Sequence, residues 1–297
     1  MGGSRLIYDV RQTTTHTYAS KVGFAQHVLR LTPIDRPHQR VHAAALDIVP
    51  QPATWREGLD FFGNRTTWIA LDEPHDRLVV KVAARVVVDD LKGPVPGATP
   101  SWETIRDQVF ATSDLGPTSP IHFVFPSRQV SLAPEIKSYV ADSFGPSRPV
   151  LDGAIEVMQR IKADFTYEIG ATTVTTTPAT AFSLRRGVCQ DFAHIMIAGL
   201  RGLGLPAAYV SGYLRTAARS GMAKLAGADA MHAWVLVWCG AQAGWCGLDP
   251  TNAVLAGDDH VVLALGRDYA DVAPIDGVVF GSGRQRLGVT VTVTPIE

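Results

Sequence analysis

The chain has 297 residues, of which 46% are hydrophobic and 19% charged, with a formal net charge of −1; this is the profile of a globular protein long enough for two domains. A near-zero charge with no basic tail and no Lys/Arg stripe argues against nucleic acid as a partner. The most apolar stretch, Ile195 to Val210, is broken by Arg201 and Pro206, so it is too short to span a bilayer and no membrane partner is expected.

The first element is a run from Leu6 in which Tyr8, Val10 and Gln12 alternate, followed by Val28, Leu29 and Leu31 before Pro33. Ala45 to Val49 ends at Pro50, Thr66 to Leu71 follows the turn Gly63-Asn64, and Leu78 to Val88 is almost wholly apolar or β-branched. Short strands punctuated by Pro, Gly and Asn predict an antiparallel β-sandwich over residues 1–95. Its histidines, His16, His27, His38, His42 and His75, are scattered among these strands and read as surface or structural residues. Residues 96–150 are broken repeatedly by proline and read as a linker with short helices at Trp102–Phe110 and Pro134–Phe144. From Val150 the period changes to that of a helix, from about Asp152 to Phe165, with Ala154, Ile155, Met158 and Ile161 on one face. A threonine-rich segment, Thr172 to Thr180, leads into a short helix with Thr177 as N-cap and Pro178 first. A second helix runs from Cys189 to about Leu203, and strands follow at Ala207–Tyr213, His232–Cys239, Trp245–Leu248 and, in the tail, Leu287–Pro295. Residues 151–297 are therefore expected to form an α+β domain.

The chemistry sits in that second half. Ile195, Met196, Ile197, Ala198, Leu200 and Leu203 make the Cys189 helix apolar almost all round, hence buried. A thiol in its first turn meets free backbone N–H groups and the positive end of the dipole, and both favour thiolate. The same N–H groups can hold an oxyanion. Downstream, His232-Ala233-Trp234-Val235 and Gly247-Leu248-Asp249-Pro250 flank a Gly-rich hairpin loop centred near Gln242. Such a loop pairs residues whose numbers sum to about 484, and His232 and Asp249 sum to 481, so they fall nearly opposite or diagonal. A carboxylate then orients an imidazole through one ring nitrogen and leaves the other for the thiol. Taken singly, Cys189 reads equally as a small buried hydrophobe, His232 as structural and Asp249 as a turn residue; together and in that order they point to nucleophilic catalysis.

The runs GVCQDFAH from Gly187, HAWV from His232 and GLDPTN from Gly247 resemble the transglutaminase-like superfamily, in its bacterial branch described as cysteine proteases. The N-terminal half is similar to that branch's β-rich N-terminal region through Tyr8, His16, Tyr18, Leu29 to Pro33, Gln39 and Asp60-Phe61-Phe62-Gly63-Asn64, and Arg267 to Val272 is similar to a downstream signature. The resemblance implies a papain-like core, a helix carrying Cys on an antiparallel sheet, with Cys189 as nucleophile, His232 as base and Asp249 as orienting carboxylate. It implies no metal and no organic cofactor. The departures are a long insert, Ala217 to Ala230, and Cys246 beside the third motif.

Other polar residues carry weaker signals. His194 suits packing, Asp191 the helix dipole or a loop contact, Tyr167 an oxyanion contact, and Asp258-Asp259-His260 a solvated loop. Cys239 and Cys246 have six residues between them, unlike a zinc knuckle. Three cysteines and no apolar stretch at the first residues suggest a reducing, cytoplasmic setting. The expected function is a cysteine-dependent peptidase or amidase acting on a peptide or protein through a thioester on Cys189. A transferase using an amine acceptor and a non-catalytic binding protein are the rivals, and homo-oligomerisation is left open.

Overall fold

The computed structural model describes residues 5–89, 93–215, 225, 227, 230–281 and 283–296. Six strands come first: β1 (Arg5–Val22), β2 (Phe24–Leu29), β3 (Gln39–Val49), β4 (Thr54–Leu59), β5 (Arg65–Leu71) and β6 (His75–Asp89). Helices α1 (Trp102–Phe110), α2 (Pro134–Ala141) and α3 (Val150–Asp164) follow, with a 3-10 turn at Pro120–Phe123. Next come β7 (Thr166–Tyr167), α4 (Pro178–Leu184), β8 (Arg186–Gly187) and α5 (Cys189–Gly202). Strands β9 (Ala207–Leu214), β10 (His232–Trp238), β11 (Trp245–Asp249), β12 (Val254–Leu255) and β13 (His260–Gly266) complete the central sheet, and α6 (Tyr269–Val272), β14 (Ile275–Phe280) and β15 (Gln285–Ile296) end the chain.

The fold is α+β, with antiparallel four-stranded sheets ordered β15-β1-β6-β3 and β14-β2-β5-β4, and a five-stranded sheet ordered β12-β11-β10-β9-β13. Side chains alternate faces along a strand, and β1 uses this over its whole length. Its even-numbered face carries Tyr8 and Val10 into the core around α5, and Tyr18 and Val22 into the sandwich core around Leu29, Leu71 and Leu78. Between them, Gln12, Thr14 and His16 face a cavity. Helix α5 is buried on nearly every side, with α2, α3 and α4 against it and β9 and β10 beneath.

The helices lie close to where periodicity predicts them. The threonine run of β1 extends far beyond the alternating segment read from sequence, and β4, exposed at every residue, offers no apolar alternation to read. The expected division of the chain changes in two respects. Residues 151–297 do not close on themselves, because β14 pairs with β2 and β15 with β1 along most of its length. The 96–150 segment is more than a linker, because Ile105, Val109, Val130, Ile136 and Val140 are buried in the same core as α5. Apolar spacing inside short, proline-broken helices is too brief to show which core they serve. Most of the insert at 217–230 lies outside the described residues.

Candidate active site

Cys189 is the first residue of α5, and the turn before it is fixed by close approach. A Cβ on Gly187 would lie 2.6 Å from Asp191 Oδ2, so only glycine lets the carboxylate fold back over the helix start. There Asp191 Oδ2 accepts the Val188 N–H at 2.8 Å and the Thr172 hydroxyl at 2.6 Å. Gln190 Nε2 donates to Val174 O at 3.0 Å. Both side chains of the first turn thus tie down the threonine-rich loop beside Cys189, which itself is partly exposed.

The β10–β11 register pairs Val235 with Leu248, which sets Asp249 diagonal to His232. His232 Nε2 and Asp249 Oδ2 are 2.9 Å apart, with both side chains fully buried. His232 Nδ1 has no hydrogen-bond partner. Cys189 and His232 line one cavity of about 290 Å³. Burial alone pushes the His232 imidazole down; the charges of Asp249 and Cys189, and the hydrogen bond to Asp249, outweigh it and raise the ring to about 10. Burial likewise disfavours the Asp249 carboxylate, yet His232 and His260 hold it well below the usual carboxylate range. The geometry therefore presents a charged imidazole–carboxylate pair with one ring nitrogen open beside a thiol.

Asp249 has further donors that sequence reasoning missed. Oδ1 accepts from Thr251 N at 2.9 Å and Asn252 N at 3.3 Å, and Oδ2 accepts from Asn252 Nδ2 at 2.7 Å and His260 Nε2 at 3.4 Å. The run GLDPTN could have shown the turn donors; His260 could not be placed, because it reaches Asp249 through the pairing of β13 with β9 across the sheet. Far from being a solvated loop residue, His260 is buried and meets the Trp234 ring edge-on.

The remaining candidates are structural or peripheral. His194 is buried, accepts the Tyr269 N–H at 3.2 Å and is pushed down to about 4 by burial. Tyr167 is raised to about 12, first by burial and then by Cys189 and Asp249 nearby. Cys239 and Cys246 are buried free thiols, with hydrogen bonding between them and burial raising Cys239. In the sandwich, by contrast, the histidines do converge: Tyr18 lies 6.3 Å from the His16 ring and 5.8 Å from His75. Burial and these two histidines push His27 down to about 4. Among the described residues, no group of three His, Cys, Asp or Glu side chains is arranged to hold a metal ion, and no helix is long and apolar enough to cross a membrane.

Residues 8–87 match the family model of the bacterial transglutaminase-like N-terminal region, and residues 137–250 that of the transglutaminase-like superfamily. An uncharacterized protein of Mycobacterium tuberculosis is 36% identical over 98% of the chain and 93% of its own length. One of Mycobacterium leprae is 30% identical over 96% and 97%. The crystal structure named "Putative Cysteine Protease from Cytophaga hutchinsonii" shares the fold, with a TM-score of 0.77 at 21% identity, over 100% of this chain and 93% of that one.

Proposed function

The chain belongs to the transglutaminase-like superfamily, carrying the bacterial N-terminal region ahead of the core, and from that premise we propose a cysteine-dependent enzyme that hydrolyses an amide bond in a peptide or protein. One observation carries the reading: His232 is held by Asp249 through Nε2, while Nδ1 is unpaired in the cavity that Cys189 lines. In the reaction, the Cys189 proton is held on His232 as a thiolate–imidazolium pair, and the thiolate attacks the amide carbonyl. The developing oxyanion faces the N–H groups at the start of α5. The imidazolium then protonates the leaving amine, and the acyl group stays on Cys189 as a thioester. Water, deprotonated by His232, attacks the thioester, releases the carboxylic acid and restores the thiol. Asp249 keeps the ring in one tautomer and stabilises its charged form throughout.

Intact-protein mass spectrometry tests the proposal. Quenched reactions with acyl p-nitrophenyl esters and peptide amides should show an acyl adduct on the wild-type chain and none on Cys189→Ala. Equal turnover by both proteins would sink it. Adding methylamine separates hydrolysis from transfer: a hydrolase releases free acid, whereas diversion of most product to the methylamide would replace it with a transferase.

A further inference from the structure

We propose that the N-terminal sandwich forms the acyl-recognition wall of the site, and that His16 on β1 selects an uncharged acyl chain bearing a carboxamide or peptide group. This rests on Cys189 being the nucleophile. The cavity that holds Cys189 and His232 is closed on its far side by residues from the other half of the fold. Gln12, Thr14 and His16 share one face of β1, and register places Val289 opposite Thr14 and Leu287 opposite His16. Five side chains of one sheet therefore line the same cavity as the thiol. At about 290 Å³, the space is near the lower end of the roughly 300–1,000 Å³ of small-ligand sites and suits one acyl side chain.

The chemistry of the wall restricts what enters. Among the described residues lining the cavity, none is Lys, Arg, Asp or Glu. A charged acyl chain would lose its water there and gain no free counter-charge from the described residues, because the His232 imidazolium is already paired with Asp249. The polar groups differ in how far they are committed. Gln12 is fully engaged: its Oε1 accepts the Tyr213 hydroxyl, and its Nε2 donates to Thr14 Oγ1 at 2.9 Å and to Met231 Sδ at 3.6 Å. His16 is less committed: both ring nitrogens are buried without a well-formed hydrogen bond, and only the Gln285 side chain reaches towards the ring. Burial, the largest influence on it, holds the ring below the usual imidazole value, with Gln285 opposing, so it stays neutral. A neutral imidazole offers one N–H donor and one acceptor nitrogen, and a carboxamide or peptide group supplies their complements. The mouth of the cavity is marked by Leu287, which is 63% exposed.

The p-nitrophenyl esters of glutaramic acid and of glutaric acid form a near-isosteric pair that differs by a carboxamide against a carboxylate. The rate of acyl-adduct formation on Cys189 should favour the carboxamide ester by about tenfold or more in the wild type. His16→Leu should lower that ratio several-fold. Leu287→Lys, a change at an exposed position, should bring a cation to the mouth and move the ratio towards the carboxylate ester. Acylation of Cys189 with no carboxamide preference, or with a ratio that neither variant moves, overturns the proposed wall and leaves the nucleophile standing. Failure of both esters and of the peptide amides to acylate Cys189 overturns the nucleophile itself, and the wall with it.

Discussion

Asp249 collects hydrogen bonds from four residues inside a site where its side chain is fully buried. That accounts for a buried carboxylate staying ionised, since each donor favours the charged form. His260 is the least obvious of the four. Its Nδ1 accepts the Gly257 N–H at 3.3 Å, and a backbone N–H can only donate, so the ring proton sits on Nε2 and points at Asp249. His260→Leu removes one donor worth about 0.5–1.5 kcal/mol. Adduct formation on Cys189 should slow by about two- to tenfold, because 1.4 kcal/mol is tenfold, and His260→Gln should recover part of it; a leucine variant acylated at the wild-type rate would remove His260 from the site. The His232–Asp249 pair also has a pH signature. His232 is raised to about 10, so its stabilisation is complete below its unfolded value of about 6.5 and is lost as pH rises through the folded value. Asp249 is lowered, so its share is present above about 3.9 and is lost in acid. Asp249→Asn should therefore cost most between about pH 4 and 6.5, on the order of 3 kcal/mol, with the gap in melting temperature shrinking towards pH 10. Thermal melts of both proteins from pH 4 to 11 check this, and a gap that widens with alkali would contradict it.

The start of α5 shows how a single turn serves both folding and chemistry. Asp191 satisfies the Val188 N–H and straps Thr172, fixing the threonine loop against the turn that bears Cys189. Asp191→Ala should lower stability by about 1–2 kcal/mol, as loss of a helix cap does, and should also release the loop. Urea unfolding reads the first effect, and faster proteolysis between Thr172 and Thr177 reads the second; an unchanged midpoint and an intact loop would mean the strap carries no weight. This element was legible in the sequence because everything that builds it is local: Gly187, Cys189 and Asp191 lie within one turn, followed by an apolar helix. The same holds for the β10–β11 hairpin, where loop position alone brings His232 to Asp249. What escaped the sequence was non-local. His260 depends on β13 lying beside β9, and His16, His27 and His75 meet because β1, β2 and β6 cross the sandwich. Neither spacing nor composition encodes those pairings. The tail shows the same limit from the other direction: the Val/Thr alternation of β15 announces a strand, while its partner, β1, lies at the opposite end of the chain.

At the scale of the molecule, the two halves are joined through backbone groups as well as through apolar contact. β13 is an edge strand of the central sheet, and its outer N–H and C=O groups would otherwise be unpaired. Two amide side chains of the N-terminal half cover them. Gln39 accepts from Val262 N and donates to Val262 O, both at 2.8 Å. Asn64 accepts from Leu265 N at 2.8 Å and donates to Leu265 O at 2.7 Å. Each amide thus takes the place that a neighbouring strand would fill. The Arg267–Val272 run extends the brace: Asp268 accepts from Gln129 N at 2.6 Å, and buried Arg201 donates to the carbonyls of Phe123, Ala207 and Arg267. Gln39→Leu or Asn64→Leu keeps similar bulk but strands one N–H and one C=O, at about 1–3 kcal/mol for each group, so each variant should lose about 2–6 kcal/mol in urea unfolding. The double variant should lose less than the sum, because both amides hold one strand and the first loss already frees it. β13 carries His260 to Asp249, so acylation of the still-folded protein should slow in step with this destabilisation. Full additivity with unchanged acylation would instead mean that the two amides act separately and that the sandwich braces the fold without reaching the site.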